Sequence, residues 1–288
     1  MNRKTLAILM TVLLCAISAH ADARSDALIK AAVTNNTAEV QRLIASGADV
    51  NAKAGYGGET ALMSAARNNA VDTAKLLIES GADVNAKAGY GGGTALMSAA
   101  SSRAVDVAKL LIASGADVNA KDKYGETALM KAAAKYAVDV AETKAVDMAK
   151  LLIASGADVN ATLMYAAIDN SVGMAERLIA SGADVNAKAN NGWTVLMAAA
   201  SYNSVDVAKL LIASGADVNA TDKDGMTALM YATSYNSVAA AKDVAKLLIE
   251  SDADITTKDN DGKTALTYAM ERGSEGVVNV LLNAVGAR

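Results

Sequence analysis

Cys15 and His20 are the only thiol and the only imidazole in a chain of 288 residues. Both lie in a segment with its own signature. Arg3 and Lys4 give a positive start, and Leu6 to Ile17 is an apolar run too short to span a bilayer comfortably. Ala19-His20-Ala21 then matches the small-x-small pattern of a signal-peptidase site. Residues 1–21 read as a secretory signal cut after Ala21. An uncleaved anchor or a buried N-terminal helix is the alternative. Lipid attachment at Cys15 is disfavoured by the bulky Leu14 before it.

Without that segment the chain holds no thiol or imidazole. Ser–His–Asp and Cys–His nucleophilic arrangements then have no general base, and a His or Cys zinc site has no ligands. No cofactor and no metal is expected. Carboxylates remain, but Asp83, Asp117, Asp158, Asp184 and Asp217 recur at one position of a repeated phrase. Recurrence at a turn indicates loop stabilisation through side-chain to backbone hydrogen bonds, not unique chemistry. Gly55-Tyr-Gly-Gly and Gly89-Tyr-Gly-Gly lack the Lys-Ser or Lys-Thr that closes a phosphate loop. The chain is read as non-enzymatic. Removing Arg3 and Lys4 leaves 25 basic against 31 acidic residues, a net −6. That balance repels nucleic acid and anionic membrane surfaces.

The elements that would position any site come from an internal repeat. The phrase Leu-Ile-Ala-Ser-Gly-Ala-Asp-Val-Asn-Ala recurs with its Gly at 47, 81, 115, 156, 182 and 215. Thr-Ala-Leu-Met begins at Thr60, Thr94, Thr127 and Thr227, with variants at Thr194 and Thr264. In the copy from Thr60, that Thr is a natural N-cap. Leu62, Ala65 and Ala66 share one helical face. Asn68-Asn69 ends the helix, since Asn tolerates left-handed backbone. Val71, Ala74, Leu77 and Ile78 form a second inward stripe, and Gly81 suits the left-handed position after a helix. Asp83 to Gly92 reads as a hairpin-like loop. Helices this short are unstable alone and must stack on neighbours.

With Gly58-x-Thr60-x-Leu62, Ala65-Ala66, Leu76-Leu77 and Gly81-Ala-Asp-Val-Asn-Ala86 repeated in register, the chain resembles the ankyrin-repeat family, of an exported bacterial type, over residues 25–288. The resemblance implies an all-α solenoid of helix-turn-helix units with hairpin-like loops. Eight units start near Asp26, Glu59, Gly93, Glu126, Thr162, Trp193, Met226 and Lys263, the first and last being caps. The family's Thr-Pro-Leu-His stands here as Thr-Ala-Leu-Met. Met63, Met97, Met130, Met164, Met197 and Met230 are therefore expected as flexible apolar core. The fourth unit carries eight extra residues, which would lengthen its second helix. The fifth lacks its loop, and the seventh has about one extra turn near Ala239 and Asp252 in place of Gly. Residues 134 to 163 would break the binding groove, or represent tolerated drift.

The resemblance also implies where a partner binds: loop tips and the inner face of each first helix. The tips carry Tyr56, Tyr90, Tyr124, Trp193 and Asp224, and the helix face carries Arg67, Lys135, Asp169, Tyr202, Tyr235 and Arg272. Tyr, Trp and Arg are enriched at interface hot spots. Tyr56, Arg67, Tyr90, Tyr124, Lys135, Trp193, Tyr202 and Tyr235 are the candidate contacts, while Tyr165, Tyr231 and Tyr268 are expected to pack. The expected function is a monomeric protein-binding scaffold, periplasmic or secreted, with no membrane insertion after cleavage. Some bacterial relatives support oxidative-stress enzymes or neutralise toxins. The other reading is a self-associating structural spacer. N-terminal sequencing of the protein exported from an expressing bacterium is expected to begin at Asp22. A mature chain starting at Met1 would remove the cleavage reading.

Overall fold

The computed structural model describes residues 23–54, 57–133, 143–235 and 241–286. The signal segment lies outside them. Two compact units meet along the chain at Ala157 and Asp158. Among the described residues, eight helix pairs account for the helical structure. The first unit holds α1 (23–33), α2 (Thr37–Ala45), α3 (Ala61–Arg67), α4 (Val71–Glu79), α5 (Ala95–Ser102), α6 (Val105–Ala113), α7 (Ala128–Ala133) and α8 (Thr143–Ala154). The second holds α9 (Val159–Ile168), α10 (Val172–Ala180), α11 (Val195–Ser201), α12 (Val205–Ala213), α13 (Ala228–Tyr235), α14 (Ala241–Glu250), α15 (Ala265–Glu271) and α16 (Glu275–Gly286). The only strand-like pairings among the described residues are single antiparallel bridges inside loops, such as Ala54 with Glu59.

Local sequence explains each pair. The Thr60 hydroxyl accepts the N–H of Met63, and Thr94, Thr127, Thr194 and Thr227 repeat this cap at Met97, Met130, Met197 and Met230. The methionines do more than fill space. The Met63 and Met197 sulfurs accept the backbone N–H of Thr60 and Thr194, completing a reciprocal cap that Thr267 provides for Thr264. Met164 alone of the six is half-buried. Asn69 and Asn203 turn the chain between helices at φ 52° and 57°, and Asp252 takes the left-handed backbone at φ 65° where other repeats use Gly.

Within each unit, first helices pack on first helices and second on second: α3 on α5 on α7, and α9 on α11 on α13 on α15. Leu77, Leu111, Leu152, Leu178, Leu211, Leu248 and Leu281 are all essentially inaccessible. Each such burial contributes about 1.5–3 kcal/mol. Ala66 and Ala74, like Ala100 and Ala108, are fully covered, and only a methyl leaves room for the neighbouring helix. The second stripe differs from expectation at its start. Val71 is an exposed first-turn residue, and Thr73 occupies the buried place instead. Its hydroxyl donates to Asn35 Oδ1 at 2.8 Å, which satisfies it under the preceding turn.

A second device ties repeats together along the loops. Asn51 Nδ2 donates to Gly81 O and its Oδ1 accepts the Asp83 N–H. Asn85 does the same to Gly115 and Asp117, and Asn186 to Gly215 and Asp217. The fifth repeat departs from the pattern. Asp158, elsewhere a turn residue, accepts from Asn160 N and Ala161 N and caps α9, so this helix starts at Val159 with no finger before it. In the fourth repeat α8 runs 12 residues against 9 in α4. The remaining extra residues, like those at 236–240, lie outside the described parts.

Asn85→Ala removes two inter-repeat hydrogen bonds and is expected to lower unfolding stability by about 1–3 kcal/mol. Urea denaturation checks this, and an unchanged midpoint would count against the ladder.

Candidate functional site

Each loop forms a finger whose tip position can be numbered from the capping Thr. The residue five before that Thr and the residue four after it vary together across repeats. The pairs are Gly89 with Ser98, Asp122 with Lys131, Ala189 with Ala198, Asp222 with Tyr231, and Asp259 with Tyr268. The structure supplies the cause. In the three Asp fingers one carboxylate oxygen accepts two backbone N–H groups of its own finger: Tyr124 and Glu126, Asp224 and Met226, or Asp261 and Lys263. The other oxygen faces the first helix. Tyr231 and Tyr268 donate their hydroxyls to Asp222 and Asp259 at 2.6 Å, and the Lys131 ammonium sits 3.0 Å from Asp122. Fingers with Gly or Ala lack this strut. Tyr231 and Tyr268 are thus bonded structural residues, as the sequence placed them.

Two of these carboxylates, Asp122 and Asp259, are electrostatically tuned. Burial alone would raise the Asp122 carboxyl. The Lys131 ammonium and the N–H groups of Glu126 and Tyr124 outweigh it and hold the carboxyl below its ordinary value. Burial likewise opposes a low Asp259 value, and the Tyr268 hydroxyl with the Lys263 and Asp261 N–H groups overcomes it. The Tyr268 phenol is pushed well above its usual range by donating to Asp259 and by burial.

The expected contact residues fall in different settings. Tyr90 and Tyr124 stand 73% and 66% exposed, the most open aromatics among the described residues. Lys123 lies between them, its ammonium 3.8 Å from the Tyr90 ring centre and 4.9 Å from that of Tyr124. Beside this ridge a groove of about 490 Å³ is lined by Arg67, Met97, Ser98, Ser101 and Lys131. Arg67 ends α3 and pairs with Glu59, while Lys131 pairs with both Asp122 and Glu126. Three of the expected contacts, Arg67, Tyr90 and Tyr124, thus converge on one surface of the first unit. Tyr202, in the second unit, caps α11 and is 56% exposed. Trp193 is not a free tip. Its ring meets Tyr231 edge-on at 5.8 Å, its indole N–H is buried without a partner, and the residue is half-buried. Asp169 and Arg272 cap α9 and α15. Tyr56 and Lys135 lie outside the described residues, as does the side chain of Tyr235, whose backbone ends α13.

Lys123 was not singled out by sequence, because a lone Lys in a polar loop carries no periodic signal. The Asp struts were legible in principle from the nine-residue spacing Asp122–Lys131, Asp222–Tyr231 and Asp259–Tyr268. Among the described residues no group of three His, Cys, Asp or Glu is arranged to hold a metal ion. No described helix is long and apolar enough to cross a membrane.

An unfolded Asp titrates near pH 4, and Asp122 and Asp259 titrate lower when folded. Between the two values the unfolded chain binds more protons. Their stabilisation is therefore complete above about pH 4 and is lost as pH falls through the folded pKa. For residues 22–288, which contain no His, the thermal midpoint is expected to stay flat from about pH 8 to 5 and to fall below about pH 4. Asp122→Asn with Asp259→Asn should flatten that acid limb. A step in the midpoint between pH 5 and 7 would contradict the assignment.

A family model described as ankyrin repeats matches residues 5–88, 89–162, 138–222, 163–259 and 221–288. A comparison with curated proteins returned no match. The match runs over nearly the whole chain and covers the helix pairs and fingers described above. The chain therefore belongs to the ankyrin-repeat family, whose repeats serve as scaffolds for protein–protein interaction.

Proposed function

We propose that this protein is a non-catalytic, exported binding module that grips a partner protein through the ridge and groove of its first unit. The carrying observation is the Tyr90–Lys123–Tyr124 ridge. Two large aromatic surfaces stand in water there at a position the fold does not need for stacking, and such residues concentrate binding energy when a partner desolvates them. The adjoining groove supplies Arg67 and Lys131, whose charges are already partnered, so a ligand would meet satisfied polar groups. The signal-like residues 1–21 support action in the periplasm or outside the cell. An inhibitory, immunity or stress-support role fits a stable, monomeric scaffold of this kind.

A second reading has one observation in its favour. Met270, Leu282 and Val285 are exposed at the end of the last repeat, which suits a self-associating spacer. Light scattering separates the two: a monomer across a wide concentration range removes the spacer.

Crosslinking in the native envelope followed by mass spectrometry would identify the partner, and titration with the purified partner then tests the surface. Tyr90→Ala with Tyr124→Ala is expected to weaken binding by at least about tenfold with an unchanged unfolding midpoint. Equal affinity for the double variant would sink the assignment of this surface.

A further inference from the structure

The finger that leads to Thr194 has no Asp strut, and one of its backbone N–H groups is used differently. In the Asp fingers the residue just before the capping Thr gives its N–H to the strut carboxylate: Glu126 to Asp122, Met226 to Asp222 and Lys263 to Asp259, each at 2.9 Å. Ala189 offers no carboxylate. The Trp193 N–H donates instead to the side-chain Oδ1 of Asn191 at 3.2 Å. Asn191 is exposed, and Gly192 follows it. No other Asn in the chain precedes a Gly.

The fold selects this glycine. Gly192 takes left-handed backbone at φ 85°, as Gly125, Gly225 and Gly262 do in the equivalent places. A Cβ on Gly192 would meet Asp222 Cα at 3.1 Å and Lys223 N at 3.2 Å in the next finger. The residue after Asn191 is thereby kept free of a side chain, and nothing on it shields its nitrogen from the adjoining carboxamide. The Gly192 N–H is held by Ala189 O at 2.9 Å, a single exposed turn bond that opens when the finger tip fluctuates.

We infer that Asn191 is a site of spontaneous deamidation, driven by the Gly192 nitrogen within its own finger. That nitrogen gives its proton to solvent base and forms a bond to Asn191 Cγ. The bond from Cγ to Nδ2 breaks, and ammonia leaves behind a cyclic imide. One water then opens the imide on either side, yielding aspartate or isoaspartate. During the attack negative charge grows on Oδ1, the atom to which the Trp193 N–H already donates. A donor aimed at a developing oxyanion lowers the barrier. The missing strut thus frees the group that assists the reaction.

The two products differ in consequence. Aspartate suits the finger, because Asp224 and Asp261 hold the equivalent position in the next two. Asp224 O accepts the Asn260 N–H just as Asn191 O accepts that of Lys223. Isoaspartate reroutes the main chain through Cβ and Cγ. The carbonyl that bonds Lys223 becomes a pendant carboxylate, in a finger with no spare room beside its neighbour. One product adds a negative charge to the finger row, and the other cuts a finger-to-finger bond.

The test incubates the full protein in mildly alkaline buffer and maps it by proteolysis and mass spectrometry, with fragmentation distinguishing the two products. Asn191 is expected to convert ahead of every other Asn, including Asn170 and Asn203, which precede Ser. Ala189→Asp returns a carboxylate to the Trp193 N–H and is expected to slow the conversion at least about threefold, with circular dichroism confirming the fold. Asn191→Asp should keep the unfolding midpoint in urea, while the isoaspartyl fraction, separated by ion exchange, should unfold at a lower concentration. Conversion of Asn170 or Asn203 as fast as Asn191 would overturn the site. An unchanged rate in Ala189→Asp would overturn the part given to Trp193, and an isoaspartyl fraction as stable as the parent would overturn the broken bond.

Discussion

A helix of seven residues has too few internal hydrogen bonds to stand in water by itself, and in this chain most first helices span six to eight residues. The fold follows from how that deficit is met. Thr caps satisfy the leading N–H groups, and methyl-sized residues at Ala65, Ala66, Ala74 and their equivalents let the next pair approach until Leu77 and its counterparts lose all contact with solvent. The Asn ladder then fixes spacing along the loops with two hydrogen bonds per step. Stability is therefore distributed as a chain of nearest-neighbour interfaces. The rings of Tyr90 and Tyr124 stand outside these interfaces.

That division of labour explains why two kinds of finger coexist. Where Asp stands five residues before the cap, its carboxylate must reach across to the first helix, and Lys131, Tyr231 or Tyr268 is present to meet it. Such a finger has its backbone N–H groups tied to a buried anion. Where Gly89 or Ala189 stands there, the facing position shrinks to Ser98 or Ala198, and the tip is held by backbone hydrogen bonds within the finger and to its neighbour, with no carboxylate strut. Tyr90 belongs to the second kind and Tyr124 to the first. The ridge thus joins an anchored tip to an unanchored one through the intervening Lys123.

The repeat, its caps and its left-handed turns were legible in the sequence because they depend on residue type at one position. Thr60, Gly81 and Asn69 do what short-range rules require. What was not legible depends on longer reach. Val71 and Thr73 share similar size, and the Asn35 side-chain oxygen Oδ1 of the preceding repeat accepts the hydroxyl that goes inside. Met63 read as apolar filling because the sulfur's role as an acceptor needs the Thr60 N–H within 3.5 Å. Trp193 read as a free tip, yet the neighbouring Tyr231 draws its ring against the first helix of the next repeat. At the candidate site the tyrosines were visible as rare aromatics in loops. The role of the lysine between them emerges only once one finger is placed beside another.

The last described repeat departs from this scheme. At the places where internal repeats keep Ala66 and Ala74 fully covered, the last repeat carries Met270 and Val278, and Leu282 replaces the half-covered Ile78. Helices that pack over a methyl cannot close over these larger groups at the same separation without overpacking. Thr256 stands where the earlier repeats have the ladder Asn, and it bonds to Asp254 in its own turn. Both interfaces that propagate the solenoid are therefore altered in the same repeat. The last described repeat can receive a neighbour on one side, but on the other it presents bulk where the internal repeats present methyl groups.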